Sequence, residues 1–196
     1  MCCRYYIEGD EWDDDLSAAI SGLNRDVPGL KTQGEIFPGD TAPVLARARS
    51  CVIRPFAMRW GFRLPDKRLV INARQETAGE KPLFRDSFQR LRCLVPASHY
   101  FEWRRIAAGK QRYAIRAQSG TRLYMAGLYR VLDGRPEFTV LTRPPEANIA
   151  FIHDRMPLLL TETALEGWLD AKQDISSFLF PVRYELAEEA VQESLL

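Results

Sequence analysis

Apolar residues recur at two spacings along this chain, and the switches between them outline its elements. Alternation with period two, the mark of a half-buried strand, runs through CRYYIE (3–8), VLARAR (44–49), SCVIRPFAMRWGF (50–62) and LVINAR (69–74). RCLVPA (92–97), HYFEWRR (99–105), QRYAIRA (111–117), RLYMAGLYRVL (122–132) and EFTVLTR (137–143) also read as strands, with GKQ and DGRP turns between the later ones. Helical spacing predicts EWDDDLSAAISGL (11–23), with acids in its first turn, and KPLFRDSFQRLR (81–92), with Leu83, Phe84, Phe88 and Leu91 on one side. ANIAFIH (147–153) reads as a short helix and MPLLLT (156–161) as a strand. TETALEGWLD (161–170) reads as a helix with Thr161 or Thr163 as its N-cap. YELAEEAVQESLL (184–196) is acidic and fits either a helix or a loose tail. Eight or nine strands with several short helices predict an α+β fold: a single domain over 1–196 with a curved, barrel-like, mainly antiparallel sheet.

Composition narrows the class. The 196 residues are 46% hydrophobic and 27% charged, an ordinary globular profile. No apolar run approaches a membrane span, and the first residues lack the pattern of a secretory signal, so the expectation is a cytoplasmic protein with no membrane partner. Cys2, Cys3, Cys51 and Cys93 form no CxxC pair, and the histidines are His99 and His153. These spacings predict neither a metal site nor a cofactor, and no disulfide framework. The net charge of +1 conceals an asymmetry: residues 27–160 hold 23 Lys and Arg against 11 Asp and Glu, while the two ends hold 4 against 15. Arginine outnumbers lysine 22 to 5, which suits bidentate contact with phosphate. A basic groove for a nucleic-acid backbone and a set of solvated surface arginines both fit these counts.

Four stretches raise chemical questions. MCCRYYIEGD puts a thiol directly behind Met1. Cys2 either starts a strand with its thiol in a core, or becomes the first residue once Met1 is removed, with an α-amine and a thiol two carbons apart. In INARQET (71–77), Asn72 and Arg74 follow a strand end, where loops carry function and where Asn also serves plain turns. In HYFEWRR, Glu102 stands between Phe101 and Trp103. It belongs either to a solvated strand edge or to an apolar site that raises its pKa toward general acid–base use. In IHDRMP (152–157), His153 precedes Arg155 by two residues, a structural imidazole or a proton shuttle.

In this order, Cys2 behind Met1, NARQET, RCLVPASHYFEW and IHDRMP resemble the SRAP family, the SOS-response-associated peptidases; PFAMRWGF and APVL fit as well. The resemblance is strongest over residues 1–170. Departures are Cys3 where the family start MCGR has glycine, HYFEW for GFYEW, and NARQET for NARAET. The resemblance implies a sensor of abasic sites in single-stranded DNA, whose Cys2 amine and thiol close a thiazolidine on the sugar aldehyde after Met1 removal. It implies catalytic roles for Cys2, Asn72, Glu102 and His153: Glu102 as acid and base, His153 in proton transfer, Asn72 as a holder of Cys2 and the opened sugar. It implies DNA contacts by Arg74 and Arg155 as phosphate clamps, Arg4, and a groove shaped by Trp60, Pro38 and Thr142. The implied protein is a monomer that associates with the nucleoid when bound to DNA. Two other readings stand beside it: a thiol peptidase built on Cys2, Glu102 and His153, acting on proteins or mainly on itself to expose Cys2, and a non-covalent single-stranded DNA-binding module, for which the arginine surplus suffices.

Overall fold

The computed structural model describes residues 2–9, 14–179 and 184–191. Five strands close into a ring. They are β3 (Thr41–Arg47), β4 (Ile53–Trp60), β8 (Arg92–Ala97), β11 (Leu123–Leu132) and β12 (Arg135–Arg143), joined in the order β11–β8–β3–β4–β12 and back to β11. Every pair in the ring is antiparallel except β4–β12, which runs parallel with Trp60 opposite Phe138. A second sheet of five strands lies against it in the order β14–β10–β9–β1–β2. Its members are β1 (Arg4–Ile7), β2 (Gly34–Ile36), β9 (His99–Ile106), β10 (Gly109–Ala117) and β14 (Leu186–Val191), all antiparallel to their neighbours. The α+β, barrel-like, mainly antiparallel architecture expected from the pattern is therefore present.

Period two sorts the barrel residues into two cores. Ala42, Val44, Met58, Trp60, Val95, Met125, Phe138 and Val140 join Tyr5, Ile7, Ile36, Tyr100 and Ile115 of the second sheet in one cluster. The intervening Leu45, Leu94, Ala126, Leu128 and Leu141 form the other. There they meet the short helices α2 (Gln75–Ala78), α3 (Arg85–Arg90) and α4 (Leu165–Leu169) through Ala78, Phe88, Trp168 and Leu169, so this is the outer face of the barrel. β8 is covered on both faces, which is why RCLVPA reads as an unbroken apolar run rather than an alternation.

β12 organises the functional end. Along one edge β4 pairs with it at Glu137–Phe138, and further on β7 (Asn72–Arg74) pairs with it, also parallel, at Val140–Thr142. Between them the chain makes an excursion as a small hairpin, β5 (Phe62–Arg63) with β6 (Leu69–Val70). Gly61 permits the departure: its φ is +115°, and a Cβ there would stand 3.0 Å from the Leu69 Cβ and 3.2 Å from the Ile71 Cγ2. On the other edge β13 (Met156–Pro157) pairs with Thr142 and Arg143.

Four expectations change. ANIAFIH forms successive turns rather than a helix: Ile149 N–H donates to Glu146 O and Ile152 N–H to Ile149 O. Ile149 and Ile152 both point into the core, so the i, i+3 spacing mimics a helix without one. The acidic stretch from 184 onward contains strand β14, neither helix nor loose tail, because it pairs with β10 and Glu189 reaches Arg116 at 2.9 Å. Its Ala- and Glu-rich composition is overridden by that pairing; residues 192–196 lie outside the described residues. MPLLLT is a strand only at Met156–Pro157, with Leu159 forming an isolated bridge to Met125. TETALEGWLD starts as a 3₁₀ turn (Glu162–Ala164), and the Thr161 side chain makes no cap hydrogen bond. The N-terminal helix, α1, spans Asp14–Asp26; residues 11–13 of the predicted helix lie outside the described residues.

Candidate functional site

A cleft of about 730 Å³ opens where β9 leaves the shelter of the sheet. Its walls include Cys3, Arg4, Glu102, Trp103, Phe151 and His153. β1 pairs with β9 only at residues 99–101, so Glu102 is the last buried residue of the strand. It is 2% exposed, with Tyr100 and Phe101 buried before it and Arg104 exposed after it. Burial disfavours the carboxylate and pushes the Glu102 carboxyl up to about 7.

Cys2 lies next to this wall. Its side chain is fully buried among the residues of the inner core, and its thiol donates to the Arg4 carbonyl at 3.6 Å. Burial first, and the nearby Glu102 second, hold that thiol well above the ordinary range, so it is a protonated SH. Cys3 lines the cleft and is half-buried; burial raises its thiol as well. Both strand-start and chemical readings of Cys2 thus keep their physical basis: the thiol packs in a core, and its backbone borders a cleft.

Asn72 fixes that backbone. Its Nδ2 donates to Cys2 O at 2.7 Å, and its Oδ1 is buried with no hydrogen-bond partner among the described residues. The placement of Asn72 traces to Trp60, whose indole Nε1 donates to Ile71 O at 3.0 Å. Trp60 is 0% exposed, edge-on to Tyr5 at 5.2 Å and stacked on Phe138. It therefore presents no wedge to a ligand, contrary to the groove-shaping reading, and acts by positioning its neighbour. Pro38 is exposed at a turn whose Gly39 has φ +92°, and Gly39 N–H donates to Trp60 O at 2.8 Å. Pro before a positive-φ glycine is the type II turn signal.

His153 stands on the opposite wall, 29% exposed at its side chain. Its Nδ1 accepts from Arg155 N–H at 3.0 Å, which leaves Nε2 as the protonated nitrogen of the neutral ring. The same Nδ1 is 2.7 Å from the Asp154 carboxylate, a contact that needs the protonated imidazole. Burial lowers the His153 pKa, and the neutral form with the Arg155 bond prevails at neutral pH.

Arg155 is bound in a fork by Glu76 at 2.7 and 2.9 Å and also donates to Thr142 O. Thr142 is fully buried, and its hydroxyl donates to Ala73 O at 3.3 Å, so it links β7 to the Arg155 turn without facing a groove. Arg74 is exposed at the end of β7, in register with Thr142. Arg4 lies over Phe37 at 4.5 Å and over Trp103 at 5.3 Å, with Glu35 at 3.6 Å. Arg4, Glu102 and His153 thus line one cleft; Cys2 is buried beside Glu102 and held by Asn72, and Arg74 and Arg155 lie on the adjoining strand end and turn. Among the described residues, no group of three or more His, Cys, Asp or Glu is placed to hold a metal ion, and no helix is long and apolar enough to cross a membrane. The sequence reading missed Glu76, although it sits inside the NARQET stretch, and the basic side chains Arg104, Arg105 and Lys110 of the cleft rim, which the charge surplus of the central segment contains.

A closed barrel backed by a second sheet, with a thiol, a buried carboxyl, an amide and an imidazole converging at one edge, defines the class. The model of the SOS response associated peptidase (SRAP) family matches residues 1–194, and the chain belongs to that family. It is 35% identical over 134 residues to the abasic site processing protein YoqW of Bacillus subtilis, covering 62% of this chain and 60% of that one. It is 28% identical over 185 residues to the abasic site processing protein YedK of Escherichia coli, covering 90% and 82%. It is 34% identical over 148 residues to the abasic site processing protein HMCES of Xenopus tropicalis, covering 58% and 44%. The match thus spans about 60% of the length of the Bacillus relatives. Solved structures from Bacteroides thetaiotaomicron (TM-score 0.81, 23% identity, 97% of this chain and 92% of that one) and Bordetella bronchiseptica (TM-score 0.77, 21% identity, 98% and 100%) share the fold.

Proposed function

We propose that the protein processes abasic sites: it binds single-stranded DNA and traps the aldehyde of the ring-opened sugar through Cys2, once Met1 has been removed. The relatives named for abasic site processing support the class of substrate. The observation that carries the chemistry is Cys2, tethered by Asn72 at 2.7 Å beside a buried carboxyl that titrates at about 7.

The steps balance around that carboxyl. A free α-amine has a pKa of roughly 7.7–8.0, so about a tenth to a sixth is neutral at pH 7. Its nitrogen adds to the aldehyde carbon to give a carbinolamine. Protonated Glu102 gives its proton to the departing hydroxyl, water leaves, and an iminium remains. The Cys2 sulfur then adds to the iminium carbon while its proton passes to the Glu102 carboxylate. A five-membered thiazolidine and one water result, and Glu102 is again the acid. A group near pH 7 serves both directions, and such positioned proton transfer is typically worth about 10²–10⁴-fold. Asn72 holds the Cys2 backbone, and neutral His153, which lines the cleft, assists proton transfer. Arg74, Arg4 and Arg155 supply positive charge for the strand.

Peptidase action on other proteins needs a thiolate nucleophile, whereas the ring closure starts from the protonated Cys2 thiol, whose proton Glu102 takes. A purely non-covalent binder has no use for Cys2. Intact mass after incubation with an abasic oligonucleotide tests all three: the expected product is the Met1-free protein plus the oligonucleotide less one water. Cys2→Ser loses the stable ring and Cys3→Ser retains it, because the Cys3 nitrogen stays in a peptide bond. A stable adduct on protein that keeps Met1, or one lost in Cys3→Ser and kept in Cys2→Ser, overturns the proposal.

A further inference from the structure

Beyond residue 102 the β9–β10 hairpin is a ribbon of its own. β1 pairs with β9 only as far as Phe101, and β14 pairs with β10 only from Arg112 on. Residues 103–111 therefore have no lateral strand among the described residues. A two-stranded ribbon contributes little to a core, and from Arg104 to Lys110 this one is exposed. It carries Arg104, Arg105, Lys110 and Arg112 with no acidic residue from 103 to 112. Arg112 is spoken for: its guanidinium bonds to Glu35 and lies 3.6 Å from the centre of the Phe101 ring. The other three line the cleft, and among the described residues none of them is ion-paired with a carboxylate.

Phe151 faces the ribbon from the opposite wall. Its neighbours Ile149 and Ile152 are buried, yet Phe151 is 45% exposed. Its ring is edge-on to Tyr113 at 5.7 Å and lies 5.2 Å from the Arg104 guanidinium. A half-open aromatic ring beside three uncommitted cations is the pairing that unpaired nucleotides recognise: the π-face takes a base, and the cations take phosphates.

We infer that the basic ribbon and Phe151 form a flanking subsite, in which Phe151 stacks on one base next to the lesion and Arg104, Arg105 and Lys110 hold the phosphates that follow. This rests on the reading of the cleft as a site for single-stranded DNA. It extends the binding surface along the β9–β10 ribbon, beyond Arg74 and Arg155, which do not line this cleft.

The test uses unmodified single-stranded oligonucleotides, with fluorescence anisotropy read over a range of salt. The triple variant Arg104→Gln, Arg105→Gln, Lys110→Gln is expected to lose about 2 from the salt slope, at roughly 0.7 per phosphate. Against oligonucleotides truncated on one side or the other, the deficit disappears for one truncation alone. Phe151→Ala binds roughly tenfold more weakly, Phe151→Trp retains affinity, and the Phe151→Ala loss vanishes when a base-free spacer replaces the flanking nucleotide. An unchanged slope in the triple variant, or an equal Phe151→Ala loss with the spacer, overturns the subsite. Adduct formation with abasic DNA is measured separately by mass, so that result leaves the thiazolidine chemistry standing. A wild-type protein with no affinity for single strands overturns both.

Discussion

Both terminal nitrogens of Arg155 are bound by the carboxylate of Glu76, at 2.7 and 2.9 Å. The guanidinium in turn holds Glu76 below the usual carboxylate range. Glu76 is 43% exposed at its side chain and Arg155 only 11%, so an incoming phosphate meets the acid first. Glu76→Gln removes that competitor. Affinity for single-stranded DNA at low salt is expected to rise several-fold, and the salt slope to steepen by about 0.7. A lower affinity with an unchanged slope would show that the pair exists to shape the turn rather than to restrain a phosphate clamp. Arg74 is exposed at the neighbouring strand end, and Arg74→Ala should shallow the slope by the same amount.

Burial of Glu102 makes stability depend on pH. Its carboxyl titrates near 4.5 in an unfolded chain and at about 7 in the folded one. The folded state therefore holds the proton over a window in which the unfolded state has lost it. Stability from this group is fully present below pH 4.5, declines through the window and is gone above about pH 7. The difference is about 3 kcal/mol at one proton's linkage per pH unit. Glu102→Gln should be more stable than the parent at pH 8 and lack this decline in denaturant titrations between pH 5 and 8. Its adduct formation should be slower by about 10²–10⁴-fold. An unchanged rate in a variant that still binds DNA removes Glu102 from the mechanism.

Gly61 guards the position of Asn72. An alanine there must adopt φ near +115° and press its Cβ on Leu69 and Ile71. Gly61→Ala should cost about 1–3 kcal/mol, seen as a fall in Tm of several degrees. Because Ile71 O is the acceptor for Trp60 and Asn72 follows it, adduct formation should also slow at temperatures where the variant is fully folded. Normal rates alongside the lowered Tm would separate the turn from the site.

Tyr100 carries a hydroxyl that is buried with no hydrogen-bond partner among the described residues, and its ring is 0% exposed. A buried polar group left unsatisfied costs about 1–3 kcal/mol. Tyr100→Phe keeps the ring and removes the liability, so Tm should rise by a few degrees. If the variant is instead less stable or slower to form adduct, the hydroxyl has work to do beside Cys2 and Glu102.

Most of the barrel was legible from local pattern: the alternating VLARAR and FAMRW, the apolar run in RCLVPA, and EFTVLTR all fall on ring strands. What alternation cannot state is which strands meet, and the parallel β4–β12 contact that shuts the ring leaves no local trace. Ile149 and Ile152 deceived by spacing, and the acidic stretch around β14 by composition. Asn72, Glu102 and His153 were visible as polar residues interrupting apolar runs and Cys2 as a thiol directly behind Met1, and the four share one region of the fold. Trp60 and Thr142 were assigned to a groove, yet both are buried. An aromatic side chain in a motif gives its type, and only the packing tells whether it touches ligand or holds the residue that does. Glu76 was hidden because its partner lies 79 residues away.

The separation in sequence of the cleft's parts sets an order of events during synthesis. Cys2 leaves the ribosome ahead of Asn72, Glu102 and His153, and β1 has no complete sheet to join until β9 and β10 exist. At about 5–20 residues per second, the interval between Cys2 and His153 is on the order of 10–30 s. Through that interval the Met1–Cys2 bond is open to a processing enzyme, while the carboxyl and imidazole that give Cys2 its chemistry are still being translated. On the proposed mechanism the nucleophile would thus be trimmed early and armed late, and a nascent chain would have little means to capture a stray aldehyde before its own fold is complete.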